Sequence, residues 1–177
     1  MKVVLNGDGG DENFAGYQRY QKFALINPLG RLLPFLKSGI TIYPTAYLGL
    51  TAPLDFKKAL YQPRFMEGVD PLATKTLFAR QQLKNLSPLD NVLKTDFKLY
   101  LSQVLLPKVD IASMANSLEV RSPFLDQELI ELTAKMPDRL KLRGLTSKYI
   151  LKQAVKDWLP QEIINRPKMG FSFPLGA

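Results

Sequence analysis

Most of the chain carries apolar residues at helical spacing, and only its first residues read as a strand. Val3-Val4-Leu5, within a strand predicted over 2–6, is an apolar run stopped by Asn6-Gly7-Asp8-Gly9-Gly10. Four of the eleven glycines lie between positions 7 and 16, which marks one tight turn with close backbone approach and not general flexibility. Asn-Gly is also a hairpin signal, but the residues after it have helical periodicity, so the order is strand, glycine-rich turn, helix. That helix is predicted over 11–26, with Asp11 or Glu12 satisfying free amides at its start and Phe14, Tyr17, Tyr20 and Ala24 on one face. A second helix is predicted over 29–36.

Between 43 and 91 the pattern is interrupted by Pro44, Pro53, Pro63, Pro71 and Pro88, leaving helical pieces at 54–61 and 70–84 and no visible chemistry. Phe97, Tyr100, Leu101, Val104 and Leu105 then form a stripe that stops at Pro107, and Ile111, Met114, Ala115 and Leu118 form the next. Leu125, Leu129, Leu132 and Met136 mark a helix capped by Asp126, with Lys135 in its last turn and Pro137 beyond. A further helix over 146–159 turns Leu151, Ala154, Val155 and Trp158 inward and Lys148, Lys152 and Lys156 outward. A short turn at 161–164 leads into the basic loop Arg166-Pro167-Lys168-Met169-Gly170-Phe171.

A lone strand leaves both of its edges unpaired, so residues 2–6 are expected to join a sheet whose other strands come from upstream sequence. A strand followed by a Gly/Asp turn and a helix is how an open α/β sheet sets a ligand site at the carboxyl end of a strand. The expected fold is a predominantly α fragment of an α/β domain.

Composition narrows the chemistry. With 177 residues, 46% apolar and 23% charged, the chain has the make-up of an ordinary globular protein with one core. No apolar run approaches the roughly 18 residues of a spanning helix, and no secretory signal opens the chain. It has no Cys and no His, which excludes thiolate nucleophiles, disulfides, Cys- or His-ligated metals and histidine bases. Carboxylates, Lys, Arg, Tyr, Ser and Thr remain, a set suited to phosphate chemistry with magnesium on carboxylates. The net charge of +8 is concentrated at the end, where residues 135–177 hold nine basic and three acidic side chains. Such a segment fits a phosphate-bearing partner or a solvated surface. Nucleic acid is disfavoured, because there is no finger, no RNP-like aromatic signature and no block of consecutive cations.

Four ordered segments resemble the glutamine-dependent asparagine synthetase family. Residues 6–17, Asn-Gly-Asp-Gly-Gly-Asp-Glu-Asn-Phe-Ala-Gly-Tyr, are similar to its Ser-Gly-x-Gly-x-Asp-Glu-x-Phe-Gly-Gly-Tyr segment. Leu106 to Asp110 with Ser113 to Asp126 resembles a second block, Lys141 to Gly144 with Ser147 to Leu151 a third, and Leu159-Pro160 through Arg166 to Leu175 a fourth. The resemblance implies the C-terminal synthetase domain over residues 1–177, of the adenine-nucleotide α-hydrolase (PP-loop) type. Such a domain activates aspartate with ATP as β-aspartyl adenylate, releases pyrophosphate, and lets ammonia displace AMP to give asparagine. The family's glutaminase domain, which would deliver the ammonia, and its Ser-Gly-Gly-x-Asp-Ser pyrophosphate loop have no counterpart in these residues, so the isolated chain is expected to be inactive. The resemblance further implies ATP and Mg2+ as cofactors and a cytoplasmic protein with no membrane attachment, and leaves homo-oligomers open. A relative acting on another carboxylate, an inert fragment and a basic helical binding domain are the competing readings.

On that resemblance Asp11 is the candidate magnesium ligand, although spacing alone favours a plain helix cap. Asp8 stands where characterised synthetases carry a Glu that acts on the incoming nucleophile; a turn-forming Asp is the plainer reading. Gly7, Gly9 and Gly10 would let polyphosphate approach the backbone, and Glu12 would support the site or only favour the helix dipole. Lys148 would stabilise charge at the α-phosphate as pyrophosphate leaves, against the alternative of a wet lysine face. Arg121, with Glu119, would hold a carboxylate or phosphate, or form a structural ion pair. Lys168 and Gly170 suggest phosphate contact or an ordinary basic loop. Ile111 stands where many members carry Arg.

Overall fold

A computed structural model describes residues 2–32, 61–68, 76–77 and 80–166. Strand β1, Val3–Leu5, pairs in parallel with β2, Glu119–Arg121, in the register Val3↔Glu119, Val4↔Val120 and Leu5↔Arg121. The partner of the first strand therefore lies inside the chain, 116 residues downstream, and not in upstream sequence as expected. A second, antiparallel pair joins β3, Leu142–Arg143, to β4, Thr146–Ser147. The rest of the described architecture is mostly helical.

The expected helix over 11–26 is two elements. Helix α1, Gly10–Asn13, is four residues long, and α2, Gln18–Leu32, starts after a break. Ala15 causes that break: it adopts a left-handed conformation with φ 53°, which a right-handed helix cannot contain. Neither Asp11 nor Glu12 caps α1; Gly9 occupies that position and the two carboxylates sit in the first turn, at the favourable end of the peptide dipoles. The helix expected over 29–36 is continuous with α2 as far as Leu32 and otherwise lies outside the described residues.

Among the described residues the longest helical run begins at Pro88, ahead of the stripe that starts at Phe97. Ser87 accepts a hydrogen bond from the Asp90 amide and caps Pro88–Asp96. A π-helical stretch, Phe97–Leu105, and a further helix, Leu106–Met114, follow without interruption. Pro107 does not stop the run. The wide π turn, in which the Leu106 amide donates to the Leu101 carbonyl, resets the register so that Pro107 falls in a new first turn, where its missing N–H is tolerated. Ile111 and Met114 are exposed, so their stripe is not a core face among the described residues.

Asp126 caps Gln127–Lys135 as expected, its Oδ1 accepting from the amides of Glu128 and Leu129 at 3.0 and 3.2 Å. Leu132 faces outward all the same. The helix expected over 146–159 is shorter: Thr146–Ser147 is strand, the helix is Tyr149–Ala154, and Trp158 is exposed. The turn at 161–164 is the helix Gln161–Ile164. Pro63–Met66 forms one helical turn; of the helix expected over 70–84, residues 76–77 and 80 are helical, 81–84 are turn and irregular and the rest lies outside the described residues, as does almost all of the helix expected over 54–61.

The core lies where α2, the Pro88–Asp96 helix and β3 meet. Ala15, Tyr20, Phe23, Leu89, Val92, Leu93 and Leu142 are buried there, with Tyr17, Ala24 and Leu99 packed against them. Beside it Asp96 is buried between Arg19, at 2.8 Å, and the Tyr20 hydroxyl, which donates at 2.6 Å. The Arg19 guanidinium lies 4.0 Å from the Tyr17 ring centre and 4.9 Å from that of Tyr100. A charge out of water needs such partners, and this cluster anchors α2 next to the glycine-rich turn.

Candidate active site

The turn between β1 and α1 sits at the carboxyl end of the parallel pair, where α/β folds place ligands. The Asn6 amide N–H donates to the Arg121 carbonyl at 2.9 Å, so the turn leaves the sheet beside the end of β2. Asn6 organises it: Nδ2 donates to Asp8 Oδ2 at 2.6 Å, and Oδ1 accepts from the Ser122 hydroxyl. Asn13 Nδ2 donates to the Phe124 carbonyl, and the rings of Phe14 and Phe124 meet edge to face at 6.1 Å.

The three candidate glycines of the turn differ. Gly9 has φ 87°, and a Cβ there would lie 2.3 Å from Leu125 Cδ2. A Cβ on Gly10 would come within 3.2 Å of the Phe124 ring. Both are buried against the Pro123–Leu125 turn, so their bareness serves packing between two distant motifs. Gly7 is exposed with nothing within 4 Å of its Cβ position, which leaves its backbone open to a ligand.

Asp11 meets Lys148 across 137 residues of sequence, Nζ to Oδ1 at 2.7 Å. Lys148 is not on an outward helix face with Lys152 and Lys156. It precedes the helix, in a left-handed conformation with φ 53° and ψ 35°, and its amide N–H donates to the Phe14 carbonyl at 2.9 Å. That bend is what turns the side chain back over α1. Burial lowers the Lys148 amine from its ordinary value, while the negative charge of Glu12 acts in the opposite direction. Glu12 itself is buried, and burial pushes its carboxyl up despite a 2.7 Å hydrogen bond donated by the Tyr17 hydroxyl. Burial and the Glu12 carboxylate push the Tyr17 phenol upward.

Arg121 pairs with Glu119 at 2.7 Å on one exposed face of β2, at the same end of the sheet as the turn. Lys168 and Gly170 lie outside the described residues. Asp8, Asp11, Glu12, Gly7, Gly9, Gly10, Arg121 and Lys148 thus belong to one region built from three of the four motifs. Gly16, Tyr17 and Asn6 were missed as contributors; the signals for the first were its place in the glycine cluster and in the family-like segment 6–17. Among the described residues no group of three or more Asp, Glu, His or Cys side chains converges, and no helix is long and apolar enough to cross a membrane.

The profile of the Asparagine synthase family matches residues 1–177. The chain belongs to the asparagine synthase family. It is 30% identical to asparagine synthetase (glutamine-hydrolyzing) 1 of Bacillus subtilis (strain 168), over 99% of this chain and 31% of that protein. It is 28% identical to amidase chyE of Penicillium rubens, over 98% of this chain and 32% of that protein. A shorter match, 38% identical over 42% of this chain, is to asparagine synthetase (glutamine-hydrolyzing) of Gallus gallus. The chain spans about a third of the length of the family relatives it matches throughout. No solved structure matches it. In the segment Phe14-Ala15-Gly16-Tyr17 the left-handed residue, with φ 53°, is Ala15.

Proposed function

We propose that these residues belong to the synthetase part of an ATP-dependent amidotransferase that activates a carboxylic acid as its adenylate and transfers ammonia to it. A carboxylate oxygen of aspartate attacks the α-phosphorus of ATP, the bond to pyrophosphate breaks, and β-aspartyl adenylate forms. Ammonia, delivered from a glutaminase unit, then adds to the acyl carbon and expels AMP, leaving asparagine. The domain is of the adenine-nucleotide α-hydrolase type and works in the cytoplasm.

The observation that carries this reading is the Asp11–Lys148 pair beside a glycine-rich turn at the carboxyl end of parallel strands. Lys148 is placed to spread the negative charge that builds on the α-phosphate, and a partly buried ammonium does so more strongly than one in water. Asp11 supplies one oxygen-donor carboxylate, which fits Mg2+: that ion keeps several waters and takes one or two carboxylates together with phosphate oxygens. When bound, it would neutralise phosphate charge. Gly7 offers backbone N–H to phosphate, Asp8 faces the incoming nucleophile, and Arg121 binds a carboxylate or phosphate, for which Glu119 is the stand-in partner. Gly9, Gly10 and Glu12 support the turn, and Lys168 and Gly170 contact phosphate from the basic loop.

ATP–pyrophosphate exchange in a preparation competent for it tests the assignment. Asp11→Asn and Lys148→Ala are each expected to slow exchange by about 10²–10³-fold. Undiminished exchange in either variant removes that residue from the reaction. A second acceptor class is favoured by the similarity to a protein named as an amidase. Asparagine formation is therefore measured against amide formation on other acids supplied with ATP and ammonia.

A further inference from the structure

We propose that Gly16 is a positioning residue: its missing side chain is the space in which Asp11 and Lys148 meet. The functional weight of this rests on the synthetase reading above, but the geometry does not. A glycine is ordinarily explained by a positive φ or by close backbone approach. Positive φ is found at Gly9 and Gly144 among the described glycines, and not at Gly16. The left-handed residue of this segment is Ala15, one position earlier, so the positive φ falls on an alanine and not on its glycine neighbour. Conformational freedom does not explain the glycine.

Space does. A Cβ at position 16 would stand 2.0 Å from Asp11 Oδ1, 2.8 Å from Asp11 Cγ and 2.3 Å from Lys148 Cε. Those are the atoms of the ion pair, and they are the ends of rotatable side chains. A methyl group is accommodated by swinging the two side chains apart, with little demand on the backbone. The main chain around them is held independently: the Gly16 amide donates to the Asp11 carbonyl at 2.8 Å and the Lys148 amide to the Phe14 carbonyl at 2.9 Å. Gly16→Ala is thus directed at the pair and spares the fold.

The test is the acylation rate of individual lysines by limiting acetic anhydride, read by peptide mass spectrometry on the whole chain. Lys141 is the internal gauge of folding, since it is buried and paired to Asp90 at 2.7 Å. Gly16→Ala is expected to raise the Lys148 rate several-fold while Lys141 stays protected. Asp11→Asn should give a similar rise, and the two changes together should add nothing further, because both abolish one interaction. An unchanged Lys148 rate in Gly16→Ala with Lys141 protected overturns the proposal. If Gly16→Ala also exposes Lys141, the Gly16→Ala/Asp11→Ala double variant decides. Recovery of Lys141 protection on removing the nearest clashing atoms supports the proposal, and continued exposure overturns it. Catalysis does not enter these rates. Should Lys148 be released as expected while Lys148→Ala leaves pyrophosphate exchange intact, the synthetase role falls and the positioning role stands.

Discussion

Two lysine–carboxylate pairs in this chain have the same length and opposite construction. Lys141–Asp90 and Lys148–Asp11 both measure 2.7 Å, with side-chain exposures of 3% and 22% in the first and 32% and 17% in the second. Lys141 ends the regular helix Asp138–Lys141 and reaches into the first turn of Pro88–Asp96, and neither residue has unusual dihedrals. Around the other pair stand two left-handed non-glycine residues, Ala15 and Lys148, and a glycine with no room for a methyl. Such conformations cost on the order of 1 kcal/mol or more each and persist only where surrounding contacts impose them. Distance and charge do not distinguish the pairs. The strain beneath them does, and it is concentrated where three sequence motifs converge.

The largest effects expected separate the pairs by readout. Lys148→Ala should abolish most pyrophosphate exchange while changing stability by less than about 1 kcal/mol, because an ion pair whose lysine is one-third exposed contributes little and alanine leaves the left-handed backbone as it was. Lys141→Met should do the reverse. It strands Asp90 at a half-buried position and is expected to cost about 2–3 kcal/mol in urea unfolding, with exchange per folded molecule unchanged. If Lys141→Met silences exchange in fully folded protein, the division between a structural and a functional pair is gone.

The same substitution at two glycines of one turn sharpens the contrast. Gly9→Ala meets both a φ of 87° and Leu125 Cδ2 at 2.3 Å, so it should destabilise the chain by about 2 kcal/mol. Gly16→Ala meets only mobile side-chain ends and should shift the midpoint of denaturation far less. Equal shifts in the two variants would mean that position 16 is as much a backbone requirement as position 9.

What the sequence made legible was local. The Asp126 cap, the strand before the glycine turn and the stripe through Tyr20 each depend on residues within a turn or two of one another. The partner of β1 did not show, because the alternation of Glu119-Val120-Arg121 is too short to stand out from a loop, and a parallel partner 116 residues away leaves no local trace. Lys148 was set on the wrong surface for a related reason. Lysines at 148, 152 and 156 satisfy helical spacing, and periodicity cannot reveal that the first precedes the helix with φ 53°. Resemblance supplied what periodicity lacked, since it singled out Asp11 and Lys148 before anything placed them together. It could not supply the role of Gly16, which exists only once the two side chains have met above it.

The smallest expected effect concerns the structural pair's own neighbourhood. Burial pushes the Asp138 carboxyl above its ordinary value of 3.8, aided by the charge of Asp90 and opposed by the Ser87 hydrogen bond and by Lys141. A raised folded value means that the folded chain holds this proton more tightly than the unfolded chain. The contribution is therefore fully present below about pH 4 and is lost as pH rises through the folded value. Asparagine at 138 can still accept from the Ser87 hydroxyl, which donates to Asp138 at 2.8 Å, and it has no charge to desolvate. Asp138→Asn should accordingly gain stability relative to the parent between about pH 4.5 and about pH 7, by less than about 1 kcal/mol because the group is half-exposed. Urea unfolding at the two pH values measures the difference. A parent–variant gap that is the same at both would show that Lys141 already compensates Asp138 as well as Asp90, making this corner of the chain a satisfied three-charge cluster in place of a pair with an unsatisfied neighbour.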